Sequence, residues 1–99
     1  MKFEKDCFKS GTSLQDYVTT SYSRLVEVFG EPDIGPNDTG CDKVTCEWDL
    51  CFEDGTYATI YDWKEYDTPF GEYRWHIGGN NYMAGVRVFE ALGLIPEVA

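Results

Sequence analysis

What this chain has least of is positive charge. Eight Lys and Arg stand against eighteen Asp and Glu in 99 residues, a formal net charge of −10, and a magnitude of about 2 to 8 is ordinary for a small soluble domain. Such a surface repels phosphates, which excludes direct binding to DNA, RNA or an anionic membrane. It suits a partner whose own surface is basic. No run approaches the roughly twenty apolar residues of a membrane span. His76 is the only histidine, which excludes a His dyad and a His-rich metal site. No Ser or Cys sits in a recognisable nucleophile turn either, so nothing amounts to a catalytic signature and no enzymatic activity is expected.

Cysteine chemistry is equally sparse. The four cysteines, Cys7, Cys41, Cys46 and Cys51, contain no C-x-x-C pair. The spacing of Cys46 and Cys51 sends them to opposite faces of one strand, where they cannot close a tetrahedral site together. Residues 1–6 lack the apolar core of a signal peptide, and the chain accordingly reads as a protein of a reducing cytoplasm. Four free thiols, no metal and no cofactor are the expectation.

Apolar and aromatic residues are plentiful. Hydrophobic content of 42% with 16% aromatic, including Trp48, Trp63 and Trp75, predicts a folded core, and the length predicts one domain over residues 1–99. Residues 1–10 alternate poorly and read as an N-terminal arm or edge strand. In residues 14–18, Leu14, Tyr17 and Val18 stand at helical spacing, which predicts a single helical turn or a packed loop. A helix follows, with Thr20 or Ser21 as cap, Tyr22, Leu25, Val26 and Phe29 as its apolar stripe, Gly30 at its end and Pro32 beyond. Residues 31–42 form an acidic loop containing Pro and Gly.

Strand alternation then places Val44, Cys46, Trp48, Leu50 and Phe52 on one face, and Thr45, Glu47 and Asp49 on the other. Asp54-Gly55 turns the chain into a second strand at 56–63. A three-residue loop would set Leu50 and Trp48 opposite Ala58 and Ile60; a two-residue loop would bring Tyr57, Thr59, Tyr61 and Trp63 to that face instead. Residues 73–77 read as a third strand. Asn80 or Asn81 caps a second helix, with Tyr82, Val86, Phe89 and Leu92 as its buried stripe and Met83 and Val88 at the margins. The expected fold is α+β, a small antiparallel sheet of three or four strands with two helices packed on one face.

Four runs carry a resemblance: Gly11-Thr12-Ser13-Leu14-Gln15-Asp16-Tyr17-Val18, Leu25-Val26-Glu27-Val28-Phe29-Gly30-Glu31-Pro32, Phe52-Glu53-Asp54-Gly55-Thr56-Tyr57-Ala58-Thr59-Ile60-Tyr61-Asp62-Trp63-Lys64 and Trp75-His76-Ile77-Gly78-Gly79. Together they resemble a family of small proteins of bacteriophages and other large DNA viruses. The resemblance spans roughly residues 11 to 90 and implies a virus-encoded accessory protein acting inside a host cell. It brings no functional residue with it.

Two candidate surfaces follow from the residues. Asp33, Asp38 and Asp42 of the acidic loop, with Glu47 and Asp49 at exposed strand positions, are candidates for contact with a basic host or defence protein. Arg74, Trp75, His76, Gly78, Gly79, Asn80 and Asn81 are candidates for a small ligand. At the start of a helix the free backbone N–H groups of this junction could cradle an anion, with Lys64, Arg74 and Arg87 as a local basic pocket. The leading expectation is a non-enzymatic counter-defence inhibitor that binds a host protein, possible targets including a nucleic-acid-targeting system. The alternative is a sponge that sequesters an anionic nucleotide signal at residues 75–81.

Overall fold

Stretches rich in Tyr, Thr, Val and Trp suit a pleated, half-buried surface, and the chain pairs them into one antiparallel sheet of five strands. In the computed structural model, which describes residues 2–5, 12–35, 44–63, 65 and 67–94, the elements run β1 (Phe3–Lys5), β2 (Ser13–Ser21), α1 (Tyr22–Phe29), β3 (Glu47–Phe52), β4 (Tyr57–Tyr61), β5 (Glu72–Gly79) and α2 (Met83–Ala91). The strand order is β1-β3-β4-β5-β2. The α+β class is as expected, but the sheet has five strands where three or four were expected.

The additional strand is β2, expected as a helical turn or loop. A register shift between Leu14 and Asp16 explains the difference. The extra residue of this bulge brings Leu14, opposite Gly78, and Tyr17, opposite His76, to one face of the sheet although they stand three apart, a spacing that imitates a helix. Val18, opposite Trp75, turns to the other face and into the core.

The β3–β4 hairpin takes the three-residue alternative. Phe52 N–H donates to Thr56 O at 2.8 Å and Gly55 N–H to Phe52 O at 3.0 Å. Gly55 has φ 89°, a left-handed conformation that favours glycine at this position of the loop. Trp48 therefore faces Ile60, and Leu50 faces Ala58. The strand itself begins at Glu47 rather than Val44. Thr45 and Cys46 donate their amides to the carboxylate of buried Asp62 at 2.7 and 3.2 Å, which takes them out of the strand ladder. Val44 consequently lies beside Glu47, away from Cys46.

Both helices cover the same face. Ser21 caps α1 by accepting from Arg24 N–H at 3.2 Å, and Gly30 N–H closes its end on Val26 O at 2.8 Å. Asn81 Oδ1 accepts from Met83 N–H at 2.8 Å at the start of α2. The α2 stripe differs from expectation: Ala84, Val88, Phe89 and Leu92 are buried, whereas Tyr82 is exposed. The cause is close approach to the sheet. A Cβ on Gly79 would stand 2.4 Å from Ala84 Cβ and 2.6 Å from Tyr57 O, so only a small-residue face of α2 fits there. Leu25, Phe29, Val88 and Phe89 pack on Trp48, Leu50, Ile60, Trp75 and Ile77. Trp48 and Trp75 meet edge to face at 5.6 Å, and their indole N–H groups donate to Gly30 O and Thr20 O at 2.8 and 3.0 Å.

The cysteines depart from expectation in one respect. Cys46 is buried and free, its thiol pushed up to about 12 by burial and then by the charge of Asp62. Cys51 is held in a disulfide whose partner lies outside the described residues, which corrects the expectation of four free thiols. Spacing along the chain compares only Cys46 with Cys51. Pairing of β1 on β3 sets Glu4 opposite Cys51, so a remote segment runs alongside it. No helix among the described residues is long and apolar enough to cross a membrane.

Candidate functional site on the open sheet face

Side chains alternate across a strand, so burying Trp48, Ile60, Trp75 and Val18 under the helices turns Glu47, Tyr61, His76 and Tyr17 to the opposite face. The His76 ring lies at the centre. Tyr17 meets it edge-on at 5.0 Å, Tyr61 stacks on it at 5.4 Å and 26°, and Trp63 lies 6.3 Å away. The Arg74 guanidinium lies 3.9 Å over the Tyr17 ring. His76 Nδ1 is buried with no hydrogen-bond partner among the described residues. Burial first, then the Arg74 charge, holds this imidazole below its ordinary pKa, against an opposing pull from Asp62 and Glu65. It therefore packs as a neutral aromatic ring at neutral pH.

Beside the stack is a cavity of about 390 Å³, lined among others by Leu14, Glu47, Thr59, Tyr61, Trp63 and Gly78. Gly78 keeps its floor low, since a Cβ there would stand 2.6 Å from Thr59 Oγ1. The Glu47 carboxyl is pushed up to about 8, first by burial, then by the hydrogen bond and charge of Asp49 and the charge of Asp33. It is largely protonated at neutral pH.

The expected acidic set comes together only in part. Asp33, Glu47 and Asp49 are neighbours, Asp33 Oδ2 accepting from Asp49 N–H at 2.7 Å. Glu47 and Asp49 are half-buried instead of exposed, because β3 lies inside the sheet between β1 and β4 and the Tyr57 and Tyr61 side chains crowd them. Asp38 and Asp42 lie outside the described residues.

The sheet divides the expected ligand set. Arg74, His76 and Gly78 reach the open face, whereas Trp75 is in the core and Gly79 lies against α2. Asn80 accepts from Tyr57 N–H at 3.0 Å and donates to Gly55 O at 3.2 Å, tying β5 to the hairpin. Asn81 takes the Met83 and Ala84 amides, so the first turn of α2 is already capped. Arg87 pairs with Asp54 at 2.8 Å and Glu90 at 2.7 Å and does not join Arg74. Lys64 lies outside the described residues. The expected basic pocket at this junction is therefore not assembled by the described residues.

Leu14, Tyr17, Thr59, Tyr61 and Trp63 were not singled out as site residues. A signal existed for three of them: the three-residue register puts Thr59, Tyr61 and, by alternation, Trp63 off the core face, and large aromatics on an outward face mark a binding surface. No protein-family model, curated protein or solved structure matches the chain.

Charge at the surface is distributed unevenly. Lys5 donates to Glu31 O, Arg24 to Glu27 and to Leu92 O, Arg74 lies on Tyr17, and Arg87 pairs with Asp54 and Glu90. Exposed Glu65, Asp67 and Glu72, in and next to the β4–β5 connection, make no ion pair among the described residues. The same stretch exposes Trp63 and Phe70, at 39% and 60%.

Proposed function

We propose that the chain acts by binding, as a non-enzymatic, virus-encoded accessory protein that engages and inhibits a host protein with a basic surface. A component of a nucleic-acid-targeting system is the fitting class, because such proteins present basic grooves to phosphates. The observation that carries this reading is the use of charge: Lys5, Arg24, Arg74 and Arg87 are held by groups of the fold, while Glu65, Asp67 and Glu72 stand exposed in the same stretch as Trp63 and Phe70. Uncompensated acid steers a basic partner to the surface, and exposed aromatics supply the anchors that dominate binding energy. The viral setting is supported by the four motifs in one order. The nucleotide reading has less behind it, because Trp75 is in the core and Asn80 and Asn81 are already bonded.

The test begins with immobilised chain in host-cell lysate at low salt, followed by purification of the captured basic protein and titration of the pair. Affinity should fall as salt rises. Glu65→Gln, Asp67→Asn and Glu72→Gln together should weaken it by about tenfold while moving stability by less than about 0.5 kcal/mol each. Unchanged affinity in this variant, or a thermal shift produced by a nucleotide alone, would contradict the proposal.

A further inference from the structure

The cavity beside His76 has a chemistry of its own. Tyr61 and Trp63 stand 6.2 Å apart at 70°, so their rings form a corner of two π faces. Leu14 lies across from them, Thr59 and Gly78 make the floor, and the Glu47 carboxyl lies at the β3 side. Ring faces attract a cation within about 6 Å of the centroid, and a carboxyl gives it a counter-charge. Among the described residues its lining carries a carboxyl and no Lys, Arg or His, which favours a cation over an anion. The same face already seats a guanidinium of its own chain, Arg74 over Tyr17.

We propose that this cavity takes the cationic side chain of a basic partner protein, seated in the Tyr61–Trp63 corner with its charge on Glu47. The assignment rests on the reading of the chain as a binder of basic protein and names where a partner's charge enters. Arg suits it better than Lys, because a planar guanidinium stacks on a ring and presents a fork of donors to a carboxylate. Burial first, then Asp49 and Asp33, favour a proton on Glu47, and a nearby cation favours the ionised carboxyl. Tyr61, the other titratable group among the described lining residues, stays protonated because burial and then Glu47 raise it above its ordinary value. Seating a cation therefore expels a proton from Glu47 at neutral pH.

The experiment uses Nα-acetyl-arginine amide as probe and Nα-acetyl-citrulline amide as its neutral isostere. Calorimetry at pH 7 in two buffers of different ionisation enthalpy reads proton release, and NMR reads the three indole N–H signals. The arginine compound should bind, release protons and shift the Trp63 signal while sparing buried Trp48 and Trp75. The citrulline compound should bind at least about fivefold more weakly. Glu47→Gln should abolish the proton release and weaken binding. Trp63→Ala, checked for native stability by denaturation, should weaken binding as well. Equal affinity for citrulline, unchanged binding in both variants, or no binding of the arginine compound at its solubility limit overturns the assignment. If a basic partner protein binds the native chain and both variants alike, the cavity assignment fails and the broader reading stands. If the arginine compound binds as described while no basic protein does, the broader reading fails and the cavity assignment stands.

Discussion

Glu47 is half-buried where Asp49 of its own strand and Asp33 of a separate segment converge on it, and its carboxyl lies at about 8, up from its ordinary 4.5. A carboxyl raised in the folded state holds a proton that the unfolded chain has released, so stability falls with pH between about 4.5 and 8 and flattens above. His76, held below 6.5, works in the opposite sense at lower pH: its contribution is lost as pH falls through its folded value. Among the described residues, Glu47 is the group whose shift spans about pH 6.5 to 8. Urea unfolding across that window should show native stability declining with pH. Glu47→Gln, which keeps the shape and cannot ionise, should flatten the curve and exceed the native chain at pH 8. A flat native curve would show that Glu47 is ionised throughout and that the carboxylates are better solvated than their burial implies. Alternation in the sequence placed Glu47 off the core face correctly. Its protonation was not legible, because Asp33 reaches it from a separate segment, through the Asp49 amide.

Elements were legible where local chemistry and tertiary demand agree. Ser21, the Leu25 and Phe29 stripe and Gly30 specify α1 together, and Asp54-Gly55 specifies a turn whose three-residue form sets the register of β3 on β4. Two elements read differently because the deciding contact is remote. The bulge near Leu14 disguised β2 as a helical turn, and the carboxylate of Asp62 removed Thr45 and Cys46 from β3. The Gly78-Gly79 pair looked like an anion cradle; it lets β5 pass under α2 and leaves room beside Thr59. Gly79→Ala tests that reading. Its Cβ would meet Ala84 and the backbone oxygen of Tyr57, neither of which can swing aside, and overpacking of this kind costs about 1 to 3 kcal/mol. Chemical denaturation should register that loss. A change below about 0.5 kcal/mol, the ordinary level for a harmless surface substitution, would mean that α2 is not seated on the sheet as described.

At the scale of the whole molecule, one face of the sheet is committed to the core and the other presents aromatic rings, a neutral carboxyl and a cavity. Net charge of −10 acts over a distance of about a Debye length and governs approach; the rings and the cavity govern what stays bound. These roles separate in measurement: salt should change association most, whereas Trp63→Ala should change dissociation. The sequence showed the charge directly but not the open face, which exists only once β2 joins β5 and brings Tyr17 to His76. The central claim is that this face receives the partner. Backbone hydrogen exchange of the chain, free and bound to its captured basic partner, tests it most directly. The account predicts added protection along β4, β5 and β2 around Tyr61, His76 and Tyr17, and none over α1 and α2. Protection confined to the helices, or to residues 79–83 at the β5–α2 junction, would contradict it.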